Sequence, residues 1–268
     1  MFKYILFALI LLIGLSACSE RYPNSPYTDD NGNGTTAKVR YFPVSIGSYW
    51  IYETYQLDTM NRVDKTTKSF DSIFVEADIV KANKKAKYFI KYSKTTGNYQ
   101  KSGEDFFALE GNKLYTLQTY LSKFFRGVPF QLANFSSAEW IKIVDHEDDL
   151  WRIYRMKLVN TTIPNLPFVT LNGKIDVLAS YEGKKKLNID GKSIEADEFL
   201  ITFEFDADMN VPFVGVLNIG IERELYQYYA NDIGLVYENL NSSALSFPLI
   251  GNINLPGYES KLIRYNIK

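Results

Sequence analysis

The side chains that could do chemistry in this 268-residue chain are few and unevenly placed. The single histidine, His146, sits among Asp145, Glu147, Asp148 and Asp149. Imidazole beside carboxylates is the composition of a metal or acid–base cluster. The flanking pattern argues against one. Residues 140–144 and 150–158 alternate as strands, and the five polar residues between them fit a hairpin loop with an exposed, solvated tip. One histidine cannot build a histidine-rich metal site, and a Ser–His nucleophile would need His146 in a pocket. No glycine-rich phosphate loop joins a strand to a helix. The 31 acidic residues leave a carboxylate-based hydrolase as the remaining catalytic alternative, with no pair singled out. Asp29, Asn31, Asn33 and Gly34 match the first half of a calcium loop, but the position of its bidentate glutamate is Arg40, so a plain Asn/Gly spacer is favoured. The expectation is a non-catalytic protein with no cofactor and no metal.

The only cysteine, Cys18, follows an apolar run at the N-terminus. Lys3 gives a short positive start, Ile5 to Leu15 an apolar stretch, and Ser16 and Ala17 the small residues that a signal peptidase requires. The run is short for a transmembrane helix, because Ser19, Glu20 and Arg21 end it. Leu15, Ser16, Ala17 and Cys18 resemble a bacterial lipobox. The resemblance implies cleavage between Ala17 and Cys18 and acylation of the Cys18 thiol. Several acyl chains, at about 0.8 kcal/mol per buried methylene, make a durable anchor where one chain is marginal. The resemblance also implies, from Ser19 rather than Asp after the cysteine, a lean towards the outer membrane, with either face open to the domain.

Residues 1–17 are therefore read as the signal peptide, 18–38 as a lipid-anchored flexible tether and 39–268 as one β-rich domain. The tether holds Pro23, Pro26, Gly32 and Gly34 with almost no aliphatic side chains, and spans at most about 65–70 Å when extended. An exported domain without a second cysteine has no internal disulfide, so its stability comes from core burial. Net charge is −1, and no basic patch points to nucleic acid. The short basic runs Lys84–Lys87 and Gly183–Leu187 read as solvated strand edges rather than anionic-lipid contacts.

From Val39 onward the hydrophobic pattern has period two. In the segment 198–206, Phe199, Ile201, Phe203 and Phe205 point one way and Leu200, Thr202, Glu204 and Asp206 the other. Residues 72–80, 87–93, 151–159, 215–230 and 261–268 read similarly. Glu110-Gly111-Asn112, Asn172-Gly173 and Asp190-Gly191 read as the turns between strands. Residues 114–125 carry apolar side chains at both spacings and stay ambiguous. The fold expected is all-β and mostly antiparallel, a single curved sheet, half-barrel or sandwich-like, with at most one or two short helices.

Phe42, Pro43, Gly47, Trp50 and Tyr52 form an opening, FPxxxGxxWxY, similar to one that recurs in bacterial envelope lipoproteins. Residues 228–239, an aromatic pair followed by a Gly-Leu-Val strand, resemble a segment those proteins place near their C-terminus. The resemblance implies location and fold rather than activity, and no site residues come with it. On the residues alone, Gly47 supplies a positive φ, Gly234 a bend before Leu235 and Val236, and Trp50 and Tyr52 share one strand face, where core packing outweighs ligand stacking. Two roles follow. The first is a structural or assembly partner of the envelope. The alternative is a binding module that holds an apolar or lipid-like ligand in a curved-sheet groove lined by Phe and Tyr.

Overall fold

The computed structural model describes residues 41, 45–126, 135–163, 166–189, 191–247 and 251–268. The expectations for Ala17, Cys18, the tether, the half calcium loop, Phe42 and Pro43 lie outside these residues. Every described strand belongs to one compact unit, Lys38–Lys268. That unit contains the whole described core, which makes it the folding unit.

Fourteen strands form it: β1 (Tyr49–Leu57), β2 (Val63–Lys81), β3 (Lys84–Lys94), β4 (Gln100–Glu110), β5 (Lys113–Leu117), β6 (Trp140–Asp145) and β7 (Leu150–Ile163) come first. Then follow β8 (Leu166–Ile189), β9 (Lys192–Val211), β10 (Gly215–Ala230), β11 (Gly234–Leu240), β12 (Ser243–Phe247), β13 (Gly251–Leu255) and β14 (Gly257–Asn266). Twelve of them make a single antiparallel sheet in the order β6-β5-β4-β3-β2-β1-β14-β11-β10-β9-β8-β7, nearly closed and barrel-shaped. β12 and β13 pair apart from it as a hairpin. The all-β expectation with at most one or two short helices holds, since the described residues carry one short helix, the 3-10 turn Gln118–Phe125.

β6 and β7 are not a hairpin, although they are neighbours in sequence. They are the two free edges of the twelve-stranded sheet. The short link between them carries the chain from one edge to the other, and the indole of Trp151 donates across the seam to the Lys142 carbonyl at 3.0 Å. Near-closure protects both edges from pairing with other chains.

The ambiguous segment 114–125 divides in two. Lys113–Leu117 is strand β5, and the 3-10 helix that follows turns into the barrel interior. Its Leu121 and Phe124 are fully buried. Phe124 stacks on Phe203 of β9 at 5.2 Å and Phe125 meets the same ring edge-on at 4.8 Å. Phe199, Ile201, Phe203 and Phe205 form the inner face of β9, as their alternation requires. Buried Arg223 of β10 secures the helix end: it donates to the carbonyls of Phe124 at 2.9 Å, Pro256 at 2.8 Å and Asn241 at 3.1 Å. Burial brings its pKa down to about 10, so it stays cationic at neutral pH.

Asn172-Gly173 is not a turn. β8 runs through it, with Asn172 opposite Asp208 and Gly173 opposite Ala207. A Cβ built on Gly173 would lie 2.2 Å from the Asp206 carbonyl oxygen and 2.5 Å from the Ala207 Cα, so the glycine serves close strand approach. Gly191 and Glu110-Gly111-Asn112 do turn the chain, with Gly191 at φ 73° and Gly111 at φ 65°, and Asp190 lies outside the described residues. Gly47 and Gly234 take the positive φ expected of them, 85° and 102°. The basic runs form cross-strand ion pairs, among them Lys84–Glu110 at 2.5 Å and Lys184–Glu195 at 2.8 Å.

Gly173→Ala should therefore destabilise the domain by about 1–3 kcal/mol through overpacking, read from urea unfolding. Gly191→Asn, at an ordinary turn, should cost well under that; equal costs at the two sites would contradict the assignment of Gly173 to a continuous strand.

Candidate functional site

The barrel interior is divided. On the β8–β10 side it is packed with Ile175, Val177, Phe199, Phe203 and the helix side chains. On the side of β1–β4, β11 and β14 the inward positions read differently. β1 contributes Trp50, Tyr52 and Thr54, β2 Asp71 and Ile73, and β3 Phe89, Lys91 and Ser93. β4 adds Ser102, Asp105 and Phe107. Period-two alternation puts each set on one face, and on β4 a bulge at Ser102 brings that residue in with Asp105 and Phe107. The register Trp50↔Ile73↔Lys91 and Tyr52↔Asp71↔Ser93 then stacks them in layers. Together with the 3-10 helix and β10, β11 and β14, they enclose a cavity of about 310 Å³.

The cavity is graded from aromatic to polar. At one end Trp50, Phe89 and Phe107 form a chain of rings, 6.1 and 5.2 Å apart. At the other, hydroxyls gather on Asp71. Thr54 donates to it at 2.8 Å and Ser93 donates to its second oxygen. Ser260 lies 2.9 Å from Thr54, and the Ser102 hydroxyl lies 2.8 Å from that of Ser93. Two ion pairs cross the middle: Lys91–Asp105 at 2.7 Å and Lys123–Glu238 at 3.0 Å.

Glu238 is the most heavily partnered group. It accepts from Lys123, from Gln227 at 2.5 Å, from Tyr120 at 3.4 Å and from Tyr258. Burial would raise its pKa, but the Lys123 charge and the bonds from Tyr258, Lys123 and Gln227 outweigh burial and hold the carboxyl below its ordinary value. It is an anion at neutral pH, not a proton donor. Burial, relieved only in part by Glu238, depresses Lys123; Lys91 nearby adds to the depression. For Lys91 burial also acts downward, but Asp105 overrides it and the net shift is upward. Burial pushes the Tyr120 and Tyr258 hydroxyls up, so both remain proton donors. The cavity thus joins aromatic rings to hydroxyls and paired charges. Among the described residues, no group of three or more His, Cys, Asp or Glu side chains is placed to hold a metal ion.

Two sequence motifs meet beside this cavity. Trp50 donates from its indole to the Ile233 carbonyl at 2.5 Å, and Tyr52 donates to the Leu235 carbonyl at 2.8 Å. The opening segment and the Gly-Leu-Val segment, 183 residues apart, are one piece of structure. Both side chains are buried and both line the cavity, so core packing and cavity wall are the same role here.

His146 is not on a solvated tip. Glu147, Asp148 and Asp149 are exposed, but the imidazole turns inward at the barrel seam. It stacks on Tyr41 at 5.7 Å and packs against Tyr181 at 4.9 Å. Its Nε2 lies 3.4 Å from the Asp197 carboxylate of β9. That carboxylate also accepts from Tyr41 at 3.2 Å and Tyr181 at 3.0 Å. Local polarity marked this loop as solvated; the loop instead spans the sheet seam, where one ring must face the core. The Asp197 bond raises the histidine pKa against the opposing effect of burial.

No family model and no curated protein matches the sequence. Two solved structures are similar in shape. One is a "putative lipoprotein" from Parabacteroides distasonis, 9% identical, with TM-score 0.44 over 85% of this chain and 99% of that one. The other is a "putative exported protein with YmcC-like fold" from Bacteroides fragilis, 11% identical, with TM-score 0.40 over 85% and 99%. Neither carries a residue role to this chain.

The raised pKa of His146 gives a pH dependence. Its pairing stabilises the fold fully below the unfolded histidine value of about 6.5 and is lost as pH rises through the higher folded value. As the only histidine, its ring can be titrated by NMR without ambiguity. The wild-type pKa should lie above the ordinary value and fall in Asp197→Asn; an unchanged pKa in that variant would contradict the pairing.

Proposed function

We propose that the chain is a lipid-anchored lipoprotein of the bacterial cell envelope, carried on the outer membrane through acylated Cys18. Its barrel binds a small amphipathic ligand without catalysis. The anchor is supported by the lipobox-like Leu15–Cys18 and by the lack of any other cysteine.

One observation supports the binding role above all: charges and hydroxyls converge in a 310 Å³ cavity inside an otherwise packed barrel. Buried ion pairs are costly. Apolar residues of similar volume often serve stability as well or better. The β8–β10 half is filled with such residues. Retaining the Lys123–Glu238 pair in the other half, with the partly exposed Lys91–Asp105 pair beside it, suits recognition rather than stability. The aromatic end suits a ring or short apolar moiety, and the Asp71 hydroxyl cluster suits a polyhydroxylated or amide-bearing moiety. Because Glu238 is held as an anion and Asp105 is salt-bridged, the carboxylate-based hydrolase is the weaker reading.

A second reading, a structural or assembly partner, draws support from the outside of the same strands. Tyr49, Phe74 and Tyr92 stand in a row across β1–β3, with ring separations of 5.6 and 6.0 Å, beside Ile51 and Tyr99 in a shallow groove.

Two measurements test this. An alkyne-tagged palmitate should label the wild-type chain in its host and not Cys18→Ala; equal labelling would refute the anchor. Native mass spectrometry of Ser19–Lys268 from the host's exported compartment should show a stoichiometric adduct. Ser102→Trp at the cavity wall should lower its occupancy about tenfold. A clean wild-type mass, with a protein crosslinked to the outer groove instead, would favour the second reading.

A further inference from the structure

Three segments of the domain carry no charge, two of them at the β7–β8 and β9–β10 hairpin ends. Residues 158–173, 209–221 and 239–258 contain no Asp, Glu, Lys or Arg, in a chain that is 23% charged. The register brings the first two side by side: Thr162↔Thr170↔Asn210↔Val216 is one row across β7, β8, β9 and β10. β12, from the third segment, packs beside β10. The first two charge-free stretches thus gather at the tip of the β9–β10 hairpin, while the third joins β10 farther from the tip, where Asn241 accepts from Arg223.

The large apolar side chains there face out. Phe213 is fully exposed, Phe168 is 79% exposed, and Val159, Val214 and Val216 are more than half exposed. The opposite face of the same strands supplies Ile163, Leu171, Met209 and Ile219 to the core, so the outward residues are surplus to folding. Phe213 holds φ +66° at the tip, a left-handed conformation that bulky residues resist and glycine would take freely. An aromatic ring at a strained, fully exposed turn is the mark of a contact made outside the chain.

We infer that this uncharged hairpin end docks into the hydrocarbon–headgroup boundary of a lipid bilayer. Protein interfaces keep a polar, charged rim, whereas a bilayer penalises every charge that enters it. Here charge is lacking over both segments at the tip, while the backbone is largely satisfied by strand pairing, as a lipid environment requires. Asn160, Asn172, Asn210 and Asn218 supply neutral polar groups at headgroup depth, with the exposed Asp208 carboxylate between Asn172 and Asn218 marking the polar limit of the docked end. With no lysine or arginine in the segments, docking needs no anionic lipid and resists salt. The chain before Tyr41 is long enough to permit it. Asp197, which binds Tyr41, is fourteen strand residues from Val211, roughly 46 Å. A tether of some twenty residues extends to about 65–70 Å. The docking itself does not depend on acylation of Cys18.

The test uses Ser19–Lys268, which contains the folding unit and no cysteine. Phe213→Cys, Phe168→Cys and Asp148→Cys each place one thiol for a polarity-sensitive fluorophore, the last on the seam loop near Tyr41. With phosphatidylcholine vesicles, the labels at 213 and 168 should shift to the blue and be quenched by nitroxide lipids, and the label at 148 should not change. Flotation should be insensitive to salt, and Phe213→Asp with Phe168→Asp should weaken it about tenfold with the β circular dichroism intact. Vesicle binding that requires anionic lipid and disappears in salt would overturn the proposal. So would equal quenching at all three labels, or a blue shift without vesicles that grows with protein concentration, which would make the end an interface between copies.

Discussion

A carboxylate as deeply buried as Glu238 must be partnered or neutralised, and much of the interior is arranged around that requirement. Its partners come from separate elements: Lys123 and Tyr120 from the 3-10 helix, Gln227 from β10 and Tyr258 from β14. The carboxylate therefore fixes the helix against three strands of the barrel wall. In the same last turn as Lys123, Phe124 on Phe203 and Arg223 on the Phe124 carbonyl complete the attachment. So held, the helix acts as a partition, with packed phenylalanine on one side and the graded cavity on the other.

Barrel closure and cavity formation are linked through the chain ends of the domain. Trp50 and Tyr52 tie the first strand to the carbonyls of Ile233 and Leu235 beside the bend at Gly234. β1 also pairs with the last strand, β14, so the domain closes on itself at its sequence termini. The opposite closure, at the β6/β7 seam, is made by side chains: Trp151 to the Lys142 carbonyl, and His146 with Tyr41, Tyr181 and Asp197. Backbone pairing joins one side of the barrel and aromatic–acid contacts the other, which confines the titratable closure to the seam.

Much of the fold was legible because its signals are local. The alternation of Phe199 to Phe205 names a buried face, and glycines 47, 111, 191 and 234 sit where positive φ is required. Asn172-Gly173 misled because turn chemistry is a local preference, and pairing on both sides by β7 and β9 overrode it. His146 misled because its neighbours are polar, while its own position is decided by a sheet edge formed by distant strands. The cavity could not be read at all. On β1–β3 the outward positions hold Tyr49, Phe74 and Tyr92 while the inward ones hold Thr54, Asp71 and Ser93. Alternation identifies two faces but not which one is inside, and here both carry aromatic rings, with Trp50, Tyr52 and Phe89 among those that face inward.

The central claim is that the Lys123–Glu238 pair is kept for recognition at the expense of stability. The most direct measurement is on Lys123→Met/Glu238→Gln, which removes both charges but keeps an acceptor for Tyr258 and Gln227, comparing urea stability and the mass of the host-purified domain with wild type. The account predicts stability equal to or above wild type and loss of the bound adduct. A fall of about 3–5 kcal/mol with the adduct retained would contradict it, and would make the pair a structural support with no part in binding.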